Sequence, residues 1–242
     1  MSAPEPTPTL LVLDTSTEHL HLGLVRHERT LTRCAAGGAQ ASAVLLPALR
    51  ALLDEAGIAW ADLDAIGYGR GPGAFTGVRA ACAVTQGLAE ALGKPVLSLD
   101  TLMAVADDAR AAGAGALIRV AVDARMGEVY AAAYRYDDGA GWQVLSEPAL
   151  HEPADLARGV EPGMAVAGNS LLAHVDAWQT FTGPRFADAA PRAEALLRLA
   201  LRQWQAGERQ DAAQALPLYV RDRVALTTVE RDAVRLAKGA PA

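Results

Sequence analysis

LLVLDTSTEHLHLGLV, residues 10–25, decides how the rest of the chain is read. An unbroken apolar run up to Leu13 fits a strand buried on both faces. Asp14 to Thr17 is a polar turn, and then Leu20, Leu22 and Leu24 alternate with His19, His21 and Gly23, the period of a strand with one covered face. The stretch therefore predicts a β-hairpin with an aspartate at the tip of its first strand. The same pattern returns in IRVAVDARMGEVYAAAYRY, residues 118–136, where an apolar run ends at Asp123 and Val129, Ala131 and Ala133 occupy alternate positions after a short turn. Candidate third strands follow at residues 28–34 and 142–147. Two such units predict a duplicated α/β chain with its boundary near residue 100. Residues 1–8, polar and proline-rich, read as a frayed tail, 9–100 as the first lobe and 101–242 as the second lobe with a C-terminal tail.

Helices separate the strands. Val44, Leu45, Ala48, Leu49, Leu52 and Leu53 recur at helical spacing, so residues 42–56 predict a helix capped by Ser42, with Pro47 implying a late start or a bend. A strand at 63–68, a helix at 77–92 ended by Gly93 and a strand at 95–99 come next. Residues 101–112 then read as a helix capped by Asp100. In the second half, VAGN (166–169) predicts a strand running into a loop, and 191–206 a helix with Leu196, Leu197, Ala200 and Trp204 on one face. The end of the chain is less regular.

Composition removes several classes of function. With 242 residues, 51% of them hydrophobic, the chain can bury a substantial core. The apolar runs fall short of a membrane span, and MSAPEPTP lacks the basic and apolar regions of a secretion signal, so a cytoplasmic protein is expected. Two cysteines, Cys34 and Cys82, make no disulfide framework and no zinc motif. A net charge of -6 disfavours direct binding of RNA.

Several residues invite a chemical reading. GRGPGAFTGVR (69–79) packs four glycines and a proline before a helix. It matches neither the Walker loop nor the dinucleotide fingerprint, leaving an anion cradle at a helix start or a shaped turn that lets the backbone pass close to a strand. Asp14, with Thr15 behind it, and Asp123 could hold a magnesium-nucleotide between the lobes, which would make the chain an ATP-dependent phosphotransferase or ATPase. Against that, Arg125 and Met126 stand where a phosphate-gripping turn needs bare glycine. The reading is of a nucleotide fold that has weakened or lost its ligand, with no cofactor and no metal. His19 and His21 share a strand face without a third ligand, and no HExxH, HxxxH or GxSxG motif occurs. Along the helix after the glycine loop, Ala80, Ala83, Val84, Gly87 and Ala91 follow at three- and four-residue steps. This stripe of small side chains packs either on its own sheet or on another subunit.

Taken together, LLVLDTSTEHLHLGLV, GRGPGAFTGVRAACAVTQGLAEALGKPVLSLDTLMAVA, VAVDARMGEVYAAAYRY and LPLYVRDRVA resemble, in order and spacing, the bacterial TsaB (YeaZ) family from residue 10 to about residue 225. The resemblance implies an actin-like, two-lobed fold of the sugar-kinase and heat-shock ATPase type. It implies a role in forming tRNA N6-threonylcarbamoyladenosine beside the anticodon, as the non-catalytic dimerisation partner of the catalytic paralogue TsaD, with the ATPase TsaE joining them. Family members pair through the first two helices, with TsaD or, alone, with a second copy. Mapped here, the partner interface would comprise Leu45, Leu49, Leu52, Ala80, Ala83, Val84, Gly87 and Ala91, and tRNA would be met only through the complex. A metallopeptidase is the outlying alternative, since related proteins have been described as glycoproteases. GGAQAS, before the first helix, lacks the histidine that the family pattern would place near Gln40 or Ala41.

Overall fold

The computed structural model describes residues 7–27, 29–38 and 41–221. Most of the expected N-terminal tail and the charged C-terminal run lie outside these residues, as do the side chains at 40–42 where a cap and a histidine were sought. Pro8 and Thr9, at the start of the description, are already buried.

The first half forms a five-stranded sheet from β1 (Leu10–Asp14), β2 (His19–Arg26), β3 (Arg29–Ala36), β4 (Ala65–Gly69) and β5 (Val96–Leu99), ordered β3-β2-β1-β4-β5. β2 runs antiparallel to β1, setting Asp14 opposite His21, whereas β4 and β5 run parallel to their neighbours. Helix α1 (Ala41–Ala56) precedes β4, α2 (Phe75–Leu92) precedes β5, and α3 (Thr101–Ala111) follows it. The second half repeats the plan. Strands β6 (Leu117–Asp123), β7 (Val129–Asp137), β8 (Gly141–His151), β9 (Ala165–Ala167) and β10 (Arg185–Phe186) are ordered β8-β7-β6-β9-β10, strand for strand the order of the first sheet. Helices α4 (Pro153–Arg158), α5 (Ser170–Ala173) and α6 (Ala193–Gln205) complete it. The chain thus has the duplicated, two-lobed architecture that the paired hairpins imply, in the actin-like form that the resemblance implies.

Two helices cross between the lobes. α6, from the second half, lays Ala195, Leu196, Leu197, Leu199 and Ala200 on the face of the first sheet carrying Leu10, Val12, Ala65 and Leu97. α3, from the first half, packs Leu102, Val105, Ala106 and Ala109 on Ile118, Val120 and Ala132 of the second sheet. Asp100 makes the crossing rigid. Its Oδ1 accepts from the N–H groups of Leu102 and Met103 as the cap of α3, and its Oδ2 accepts from Tyr134 Oη of the other lobe at 2.9 Å.

On the opposite face of the first sheet, Leu11, Leu13, Leu20, Leu22 and Leu24 meet α1 and α2. This face corrects the expected interface. Leu45, Leu49 and Leu52 are 0% exposed and belong to the lobe's own core, so they are closed to any partner. The spacing that marks one apolar face of a helix marks the core-facing one. Uncovering a leucine costs roughly 1.5–3 kcal/mol, too much to leave three for a partner to cover. α1 also runs straight through Pro47 rather than starting after it. Pro47 is exposed, so the carbonyl it leaves unpaired one turn earlier lies on the solvent side.

Candidate functional site

The glycine loop is a shaped turn fitted against the tip of β1. A Cβ at Gly69 would stand 1.7 Å from Asp14 Oδ2, and one at Gly77 1.8 Å from the Thr15 carbonyl, so neither position admits a side chain. Three of the loop's donors are spent locally: Arg70 N on Leu99 O, Gly71 N on Thr101 Oγ1, and Ala74 N on Ser16 O. These are three of the N–H groups that an anion cradle would need.

Asp14 and Thr15 are consumed in the same fitting, contrary to the cross-cleft reading. Asp14 is 0% exposed; its Oδ1 accepts from Ser16 N at 2.7 Å and Ser16 Oγ at 2.6 Å, and its Oδ2 from Thr101 Oγ1 at 2.9 Å. Burial pushes its pKa up, and the three donors offset that only in part. Thr15, 1% exposed, donates its hydroxyl to Gly77 O at 2.6 Å. A carboxylate that is fully buried and turned inward onto three protein donors presents no oxygen to the cleft for a magnesium ion.

Asp123 does reach the cleft, a space of roughly 1200 Å³ between the lobes lined also by Ser16, His19, Tyr130, Asn169 and Arg192. It arrives already engaged. Its backbone N–H donates to Asn169 Oδ1 at 2.8 Å, its Oδ1 lies 3.1 Å from His174 Nε2 and accepts from Arg125 N at 3.1 Å. The turn after it holds Arg125 (φ 63°) and Met126 (φ 58°) in the left-handed region that favours glycine. The Arg125 guanidinium reaches back across the cleft to Glu18 at 2.6 Å. Where a phosphate-gripping turn needs open N–H groups, this one presents two side chains and an ion pair. His19 and His21 face each other with ring centroids 6.2 Å apart. Among the described residues, no group of three His, Cys, Asp or Glu side chains is placed to hold a metal ion.

The helix α2 divides cleanly into two faces. Val78, Ala81, Cys82, Thr85 and Ala89 are buried, whereas Phe75, Arg79, Ala83, Gly87 and Ala91, four residues apart, are exposed. Ala80 and Val84 are half-buried at the edge, Val84 against the lobe's core. A Cβ at Gly87 would meet nothing within 4 Å. The small-residue stripe splits accordingly: Ala83, Gly87 and Ala91 are exposed, and among the described residues no side chain fills the space above Gly87.

Sequence reading gave the segment that follows α6 no structural role beyond its part in the resemblance. Tyr219 accepts from Arg79 Nε at 2.6 Å and packs on Phe75, and Arg221 reaches the turn at residues 124–128. LPLYVRD carries neither strand nor helix periodicity, so only its aromatic and arginine content could have drawn notice.

Comparison with known proteins gives this geometry a family. The model of a family described as TsaD: tRNA N6-adenosine threonylcarbamoyltransferase matches residues 38–226. The Escherichia coli tRNA threonylcarbamoyladenosine biosynthesis protein TsaB is 30% identical over 225 residues, covering 89% of this chain and 96% of that protein. The chain belongs to the TsaB (YeaZ) family. The structure of the TsaB relative YeaZ from Pseudomonas aeruginosa superimposes with a TM-score of 0.79 at 40% identity, covering 88% of this chain and 99% of that one. A second P. aeruginosa chain, described as an uncharacterized protein with similarity to peptidase YEAZ, gives a TM-score of 0.81 at 39% identity. The two-lobed TsaB architecture is therefore common to this chain and its solved relatives along nearly their full length.

Proposed function

We propose that the chain is an architectural subunit in the formation of tRNA N6-threonylcarbamoyladenosine, performing no chemistry of its own. It pairs with the catalytic paralogue TsaD through the solvent-facing stripe of α2, and TsaE and tRNA engage the resulting assembly. The observation that carries this reading is the open space above Gly87. A glycine in a helix interior costs about 1 kcal/mol relative to alanine, and among the described residues nothing packs there to offset it. A close helix from another subunit does. Flanking Ala83 and Ala91, with Val44 of α1 36% exposed nearby in sequence to the core leucines, keep that approach shallow and apolar. The partner face is then Ala83, Gly87 and Ala91 with the edge residues Ala80 and Val84, and without the α1 leucines.

The state of the cleft supports the same reading from the opposite direction. Asp14 and Thr15 are spent on the glycine loop, and Arg125 with Glu18 spans the gap. In isolation the exposed stripe would pair with a second copy. In the cytoplasm it would be covered by TsaD. The test is threonylcarbamoyl transfer to tRNA reconstituted from TsaD and TsaE, with and without this chain. Transfer should require it, and equal rates in its absence would contradict the proposal.

A further inference from the structure

Beyond the docking face, the C-terminal segment at residues 215–221 lies along the cleft and touches both lobes. Its first part is fastened to the first lobe. The carbonyl of Ala215 accepts from Cys82 Sγ, that of Leu216 from Tyr68 Oη at 3.1 Å, Leu218 N donates to Arg70 O at 2.7 Å, and Tyr219 Oη accepts from Arg79. Its last described residue is fastened to the second lobe. Arg221 Nη2 donates to the Ala124 carbonyl at 3.0 Å and to Glu128 Oε2 at 2.8 Å, and Nη1 lies 3.2 Å from Met126 Sδ. The Arg221 side chain is only 13% exposed.

Arg221 thus grips the turn in which Arg125 and Met126 hold left-handed backbone, a conformation that persists only where surrounding contacts over-determine it. Among the described residues, two side-chain links span the mouth of the cleft. The Arg125–Glu18 pair has side chains 73% and 78% exposed and is screened by water, so it contributes little. The Arg221 link is sheltered, forked and aimed at both a carbonyl and a carboxylate, the arrangement in which charged hydrogen bonds are strongest. We infer that residues 215–221 form a strap that holds the cleft in one closed arrangement, with Arg221 as its catch. The strap needs no partner or ligand, and its action is independent of whether α2 docks TsaD.

Hydrogen exchange on the full chain tests this. Arg221→Ala should speed exchange at the Ala124, Glu128 and Leu218 amides about tenfold or more while β1 and β6 keep their protection. Arg221→Lys, which keeps the charge and loses the fork, should fall between. Glu18→Ala should change the same amides by less than about threefold. Unchanged protection of residues 124–128 in Arg221→Ala, or in Arg221→Lys an exchange rate equal to that of the unaltered chain, would overturn the inference. So would a loss spread evenly over β1 and β6, which reports general destabilisation rather than a released strap.

Discussion

Thr101 donates its hydroxyl to Asp14 Oδ2 at 2.9 Å, and Thr101 Oγ1 itself accepts from Gly71 N at 3.0 Å. One side chain at the start of α3 therefore ties the tip of the leading strand to the glycine loop. The aspartate that holds a metal-nucleotide in a working phosphotransferase is here a peg inside the first lobe.

Removing the peg should cost stability. Asp14→Ala takes the carboxylate partner from the Ser16 N–H, the Ser16 hydroxyl and the Thr101 hydroxyl at buried positions, a loss of about 2–4 kcal/mol. Denaturant titration of the variant should show its midpoint displaced to lower concentration with little change in slope. An unaltered midpoint would mean that these hydrogen bonds carry no weight.

Two glycines of α2 should respond to alanine with opposite sign. Gly77→Ala drives a Cβ toward the Thr15 carbonyl at 1.8 Å and forces the loop off β1, costing about 1–3 kcal/mol. Gly87→Ala places the same methyl in open space and should raise the stability of the monomer, at a concentration too low for self-pairing, by about 0.5–1 kcal/mol. Thermal unfolding of the two variants side by side checks both signs.

Stability should also fall on mild acidification through His21. The residue is 6% exposed, and burial first, then the neighbouring His19 and Arg192, draw its pKa from 6.5 down to about 4, with Glu194 opposing. The unfolded chain takes up this proton before the folded one does. The His21 contribution is therefore fully present above about pH 6.5, lost progressively between about 6.5 and about 4, and constant below that. His21→Gln should flatten the stability profile over that window, and an unchanged slope would exclude His21 as its source.

Much of this was legible in the chain itself, because buried and half-buried strands leave different periodicities. The duplicated hairpins, the aspartates ending β1 and β6, the Asp100 cap and the αL glycine closing α2 at Gly93 all follow from local pattern. What local pattern lacks is a record of what lies opposite. The stripe of Leu45, Leu49 and Leu52 looks the same whether it meets a sheet or a subunit, and burial decides for the sheet. Asp14 and Asp123 hold equivalent places in the repeat, yet the bare backbone at Gly69 lets one turn inward while Asn169 and His174 hold the other at the cleft. Arg221 became visible only in three dimensions, since its partners lie far away along the chain.

The account rests on α2 offering Ala83, Gly87 and Ala91 to a partner helix. Titration calorimetry of this chain against TsaD, with Gly87→Leu compared to the unaltered protein, tests it most directly. A branched side chain in a close helix contact costs about 1–3 kcal/mol, so affinity should fall by roughly one to two orders of magnitude while the thermal midpoint of the monomer, measured at a concentration too low for self-pairing, holds or rises. Undiminished affinity, or a lobe that unfolds while still associating, would contradict it.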